Sequence, residues 1–249
     1  MAEAVLWHIE ISHYNEKARW ALDYKGVPHR RRAPQPGVLH PLVALVKTRR
    51  PTFPVLELDG DAIGDSTRII GALEHRYPDP PLYPSDPAQR RRALELEDFF
   101  DEEVAPDVRR LAFYEISLDP ELSTETLRTT GGPPLSGRAA ALLVRANARR
   151  YGGKADAMER ARERIRAGCE RLVSEIQPSG YLVGDAFSVA DLTAASILYP
   201  IVDPPEFQYT LPPLPASLVE FVESLPPEAA EWVGRMWREH RGTSAEVAS

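Results

Sequence analysis

Five prolines crowd one ten-residue stretch, at Pro78, Pro80, Pro81, Pro84 and Pro87. Proline fixes φ and has no N–H to donate, so neither a helix interior nor a central strand runs through such a segment. The chain is therefore read as two parts on either side of a break. Before it, Val5 to Ile9 is a short apolar run that reads as a buried strand. Tyr14 to Lys25 has helical spacing and meets Gly26 as its stop. His29 to Ala33 is a second strand, and Pro34 to Pro51 is irregular with a short helix over Pro41 to Lys47. Val55 to Leu58, Asp59-Gly60 and Ala62-Ile63 read as a hairpin, and Ser66 to Tyr77 is again helical. After Ala88 no strand pattern recurs. Helices are expected over Ala88 to Phe113, Ser136 to Tyr151, Lys154 to Gln177, Ser188 to Tyr199 and Pro227 to His240, with Ser117 to Pro134 as a mobile insertion.

Composition narrows the functional classes. The 249 residues carry a formal net charge of -7, which supplies no field for phosphate backbones or anionic lipid. No nucleic-acid or membrane partner is expected, and the short runs Arg30–Arg32 and Arg90–Arg92 read as solvated faces. The single cysteine, Cys169, forms no intrachain disulfide and has no metal-spaced partners, so it reads as a packed, inert residue in a reducing compartment. The start of the chain lacks the basic and apolar regions of a signal peptide, and the cytoplasm is the expected location. Basic charge is almost all arginine, a bias that suits a GC-rich genome.

Three stretches before the break carry candidate chemistry. Ser12 follows the first strand and opens a helix, where free backbone N–H groups and the positive end of the helix dipole favour a neighbouring anion. Taken alone it reads first as a plain N-cap serine, since caps are common and catalytic serines rare, and a Ser12-His13 nucleophile pair is disfavoured because adjacent side chains seldom face each other and no G-x-S-x-G elbow is present. Pro54 precedes a strand, which by itself marks only a strand start. Ser66 begins a helix beside Asp65 and reads as another cap. After the break, Ser188 and Asp191 form an S-x-x-D capping box. Trp232, Met236 and Trp237 have the spacing of a core stripe, and His8 reads as a packed histidine beside the first strand.

Ser12, Tyr14, Lys17 and Arg19 resemble the first-helix motif of serine-type cytosolic glutathione transferases, with His13 where proline is usual. Thr52-Phe53-Pro54-Val55, Asp65-Ser66 and the Ser188–Asp191 box stand in the order and spacing of that family's remaining markers. The resemblance covers nearly the whole chain. It implies an α/β thioredoxin-like N-terminal domain over 1–80, a proline-rich linker over 81–88 and an all-α domain over 89–249. It also implies glutathione as co-substrate and no metal. Ser12 would donate a hydrogen bond to the sulfur as the catalytic residue. A cis Phe53-Pro54 bond would let the backbone of Phe53, with Pro54 and Val55, pair with the tripeptide, while Asp65 and Ser66 hold its γ-glutamyl end. Tyr14, Phe113 and Tyr114 would wall a pocket for a small hydrophobic electrophile. Thr52 and Asp65 depart from the commoner residues of the family.

The resemblance further implies a homodimer. Arg68, His75 and Arg76 on one helix would face Glu95, Glu97, Asp98, Asp101, Glu102 and Glu103 on another across the axis. Two alternatives share the architecture: a non-catalytic ligand-binding or interaction protein, and a transferase using a different low-molecular-weight thiol.

Overall fold

The computed structural model describes residues 4–34, 39–130 and 132–247. The first three residues of the amino-terminal reading, part of the irregular stretch before Pro51, and Gly131 of the Ser117–Pro134 segment lie outside them. The strands β1 (Ala4–Trp7), β2 (His29–Arg32), β3 (Val55–Leu58) and β4 (Asp61–Gly64) form one sheet in the order β2-β1-β3-β4. β2 runs parallel to β1, whereas β3 is antiparallel to both β1 and β4. The parallel pair requires a crossover, and α1 (His13–Tyr24) makes it. Gly26 takes φ 59° just beyond that helix, which only glycine adopts without strain. Asp59 and Gly60 both have positive φ, 52° and 93°, the geometry that lets a two-residue loop join twisted strands. The short helix of the irregular stretch is α2 (Leu39–Thr48), and α3 (Ser66–Arg76) completes this part.

The remainder is helical, with α4 (Pro87–Asp98), α5 (Ala105–Ile116), α6 (Pro120–Thr129), α7 (Gly137–Arg150), α8 (Ala155–Glu175), α9 (Val189–Leu198), α10 (Ala216–Glu223) and α11 (Pro227–His240). Every residue of α9 is buried, and Asp191 holds its start by accepting from the backbone and hydroxyl of Ser188 at 2.9 and 2.8 Å. Asp191 also accepts the Leu182 N–H at 2.8 Å, and burial lifts its carboxyl to about 6. The structure thus has a small mixed sheet with helices followed by an all-helical part, joined by a continuous apolar core.

Three expectations need correction. The helix anticipated over Ala88 to Phe113 is interrupted by a π-helical turn, Phe99–Val104, in which the Ala105 N–H reaches back to the Phe100 carbonyl. Pro106 has no N–H for the carbonyl four residues earlier, so the register widens locally. The Ser117–Pro134 segment contains the helix α6, capped by Asp119 accepting from the Glu121 and Leu122 amides at 2.8 and 3.1 Å. Its Leu122 and Leu127 pack with Ile116, Ala140 and Val144 in a second apolar cluster.

Strand-like pairing also recurs after Ala88. Beyond α11 the chain turns back, and Glu246 bridges His29 in parallel, with the Val247 N–H donating to the His29 carbonyl at 2.9 Å. This tail is anchored by Arg241, whose buried guanidinium meets Glu16 at 2.5 Å and Asp23 at 2.8 Å. Asp23 also accepts the Ala245 N–H at 2.8 Å and pairs with Arg31 at 2.6 Å.

Candidate active site at the start of the first helix

Ser12 is the N-cap of α1, with φ -90° and ψ 126°, and its side chain makes no cap hydrogen bond. Its carbonyl instead accepts the Glu16 N–H at 2.8 Å, which begins the helix. A cap serine whose hydroxyl is not spent on the helix remains able to donate to a ligand at the same positive helix end. That donor set fits a thiolate, which needs a hydrogen bond at the sulfur rather than a base.

The loop leading to Ser12 is fixed from several sides. Arg19, fully buried, donates to the carbonyls of Ile9 at 3.2 Å and Glu10 at 2.7 Å while pairing with Glu16 at 2.7 Å. Asn15 accepts the Ile9 N–H at 3.1 Å, and the Tyr199 hydroxyl donates to the Ile11 carbonyl at 2.7 Å. His8 is buried and its Nδ1 lies 2.7 Å from the Arg19 guanidinium, a packing role. Lys17 ties α1 to its neighbours, reaching Glu97 at 2.8 Å, Asp101 at 2.7 Å and the Thr67 hydroxyl at 2.8 Å. Of the positions that complete the Ser12 motif, Arg19 thus holds the loop before the serine and Lys17 docks its helix.

Those pairs correct the charge reading of α4 and the turn after it. Glu97 and Asp101 are buried partners of Lys17, because a buried ammonium requires compensation. Glu95, Asp98, Glu102 and Glu103 are the exposed acids of that stretch, opposite in sign to the exposed Arg68, His75 and Arg76 on α3.

At the second element of the site the Phe53-Pro54 bond is cis, as is Asp79-Pro80, which was not anticipated. Pro54 and Val55 are buried and Phe53 is half-buried. The Asp65 N–H donates to the Pro54 carbonyl at 3.3 Å, bringing the start of β3 and the start of α3 together. Asp65, rather than Ser66, is the N-cap of α3: its Oδ1 accepts the Thr67 and Arg68 amides at 3.1 and 3.3 Å. Ser66 is the first helical residue and is buried. Asp65 has φ 84°, a conformation unusual for a residue with a side chain and a hallmark of positions held for a purpose.

Tyr14 joins α1 to the π turn, its hydroxyl donating to the Asp101 carbonyl at 3.1 Å. Burial raises its phenol well above the usual value, so the hydroxyl stays protonated. Phe113 and Tyr114, adjacent on α5, diverge. Phe113 stacks on Tyr151 with ring centroids 6.1 Å apart and packs on the second cluster, while Tyr114 turns into the main core. Arg109 and Tyr151, absent from the sequence reading, connect Phe113 to Tyr14, because the Arg109 Cζ lies 4.1 Å from the Tyr151 ring and 5.5 Å from the Tyr14 ring. Arg109 and Phe113 are four apart on α5 and share a face, the signal that could have paired them. Trp232, Met236 and Trp237 are core residues, and burial pushes the Cys169 thiol up to about 12. Two shallow depressions, of about 570 and 460 Å³, lie along α11, where Trp232 contributes, and beside the tail, and include none of Ser12, Tyr14, Arg109, Phe113 and Tyr114. Among the described residues no helix is long and apolar enough to cross a membrane, and no group of acids, histidines and cysteines is arranged to hold a metal.

Residues 6–81 match the family described as glutathione S-transferase, N-terminal domain, and residues 155–235 match glutathione S-transferase, C-terminal domain. The chain belongs to the glutathione S-transferase family. Solved structures of similar fold include FzlA from C. crescentus, 21% identical with a TM-score of 0.62, covering 96% of this chain and 89% of that one. The beta-etherase LigF from Sphingobium sp. strain SYK-6 is 20% identical with a TM-score of 0.63, covering 94% of this chain and 99% of that one. A glutathione S-transferase from Methylobacterium radiotolerans, solved in complex with glutathione sulfonate, is 19% identical with a TM-score of 0.59, covering 100% of this chain and 99% of that one. No curated protein matches this glutathione S-transferase family member at a significant level.

Proposed function

We propose that the chain is a glutathione transferase that activates the thiol of glutathione for attack on electrophilic or peroxide substrates. The observation that carries this reading is the Ser12 hydroxyl, left out of helix capping at the positive end of a helix whose approach loop is tied down by Arg19, Asn15 and Tyr199. A free thiol has a pKa of about 8.5 and is mostly protonated at neutral pH. A hydroxyl donor and the helix end stabilise the thiolate over the thiol, and an oriented donor of this kind needs no reorganisation during reaction. In this reading Phe53, Pro54 and Val55 pair with the cysteinyl portion, and Asp65 and Ser66 take the γ-glutamyl end. The residue-109 to residue-113 face of α5, with Tyr14, borders the acceptor.

The protein works in a reducing cytoplasm as a homodimer in this reading. The domains divide at 1–80 and 89–249, with 81–88 as the linker. A second reading, in which another low-molecular-weight thiol replaces glutathione, draws support from Asp65, whose Oδ1 is already occupied by two backbone amides. Competition by free thiols for binding to immobilised glutathione separates the two.

Ser12→Ala tests the main reading. Its hydroxyl makes no cap bond, so stability should change by no more than about 0.5 kcal/mol. Turnover should fall about 100-fold or more in kcat/KM, as on loss of one oriented donor. An unchanged titration of bound glutathione thiol in the variant would overturn the assignment.

A further inference from the structure

Arg109 stands out among the arginines of α5. Its neighbour Arg110 pairs with Asp107, whereas no carboxylate among the described residues pairs with Arg109. Its guanidinium lies against Tyr14 and Tyr151, and its Nε is buried with no hydrogen-bond partner. A second group shares this condition. His13 is 6% exposed, its Nε2 has no partner, and its ring centroid is 4.5 Å from that of Tyr14. Burial and the Arg109 charge push His13 down to about 3, so the imidazole is neutral and offers no counter-charge.

A guanidinium held against aromatic rings can still present its two Nη groups end-on, and that planar edge matches a carboxylate bidentately. Leaving a buried donor unpaired is unfavourable, which favours a ligand that supplies the missing acceptor. Asp101, whose carbonyl accepts from Tyr14, pairs through its carboxylate with Lys17 at 2.7 Å and does not compensate Arg109. Arg109 is therefore the charge in this cluster that draws an anion.

We propose that Arg109 receives a carboxylate of the acceptor substrate, with Tyr14 bordering the attached flat ring and the Phe113–Tyr151 stack holding the guanidinium in place. The electrophiles handled by this chain are then aromatic acids rather than neutral hydrophobic compounds. This inference rests on the transferase reading of Ser12 for its chemistry, but not for its binding.

A suitable probe is 4-chloro-3,5-dinitrobenzoate, compared with its methyl ester. In both, the glutathione sulfur bonds to the ring carbon bearing chlorine, the C–Cl bond breaks with its electron pair to release chloride, and the thiol proton passes to solvent. With each rate divided by that of the uncatalysed reaction with glutathione, the wild-type protein should prefer the carboxylate by about tenfold or more in kcat/KM, mainly through KM. Arg109→Met should abolish the preference, and Arg109→Gln, a milder change, should do the same. Without thiol, 3,5-dinitrobenzoate should bind by calorimetry and bind more weakly to both variants by a similar factor. Equal turnover of the two electrophiles by the wild type, or a preference and a binding constant that survive both substitutions, would overturn the proposal. Arg109-dependent binding of 3,5-dinitrobenzoate without turnover of either electrophile would defeat the transferase reading and leave the subsite standing.

Discussion

Ser12 and His13 are neighbours with opposite demands on their surroundings. Ser12 requires an open position at a helix start, whereas His13 is packed inward where a proton on its ring is costly. In the unfolded chain the imidazole titrates near 6.5, but in the folded protein it does so at about 3. Below pH 6.5 the unfolded state therefore binds a proton that the folded state refuses. The stability associated with neutral His13 is fully present above pH 6.5 and is lost as pH falls toward 3. His13→Asn should remove roughly one proton's worth of slope from stability between about pH 6 and pH 4. Denaturant unfolding at a series of pH values reads this directly, and parallel curves for wild type and variant would contradict it.

The first helix is clamped along its length, by Lys17 toward the helical part and by Arg241 from the chain's far end. Arg241→Met leaves Glu16 with Arg19 and Asp23 with Arg31, so each buried carboxylate keeps one partner. The loss should be about 3 kcal/mol, toward the low side of what breaking a buried ion pair costs. Urea unfolding checks it, and a loss below about 0.5 kcal/mol would mean that the pair does not hold the helix. Elements of this kind explain what was and was not legible in the chain. The Asp59-Gly60 turn, the Gly26 stop and the Ser188–Asp191 box were readable because each is determined within a few residues. The Asp119-Pro120 start of α6 was equally local, an acidic cap followed by a first-turn proline, but the surrounding Ser, Thr and Gly obscured it. The burial of Glu97 and Asp101 was not readable, because nothing in their own helix announces a lysine some eighty residues earlier. For the same reason Ser12 could be singled out by its position after a strand, whereas Arg109 and Tyr151 are assembled only by folding.

At the scale of the whole molecule, the exposed acids Glu95, Asp98, Glu102 and Glu103 and the exposed bases Arg68, His75 and Arg76 bear on the proposed homodimer. Arg76 already pairs with Asp59 within the chain, at 2.6 Å, which leaves Arg68 and His75 for a partner. If complementary charges steer association, sedimentation at micromolar protein should give a dimer that weakens as salt rises from about 0.1 to 1 M, where the Debye length shrinks from about 10 to 3 Å. A monomer at low salt would exclude it. The returning tail has a different significance at this scale. A sheet's outermost strand is an open template, offering unpaired amides and carbonyls to any passing extended chain. Here the segment after α11 occupies that template at His29, where Glu246 bridges it in parallel. Cleaving after His240 would remove both the occupant and its Arg241 anchor. The shortened protein should then recruit other copies edge to edge, and light scattering should rise with time at concentrations where the intact chain stays clear.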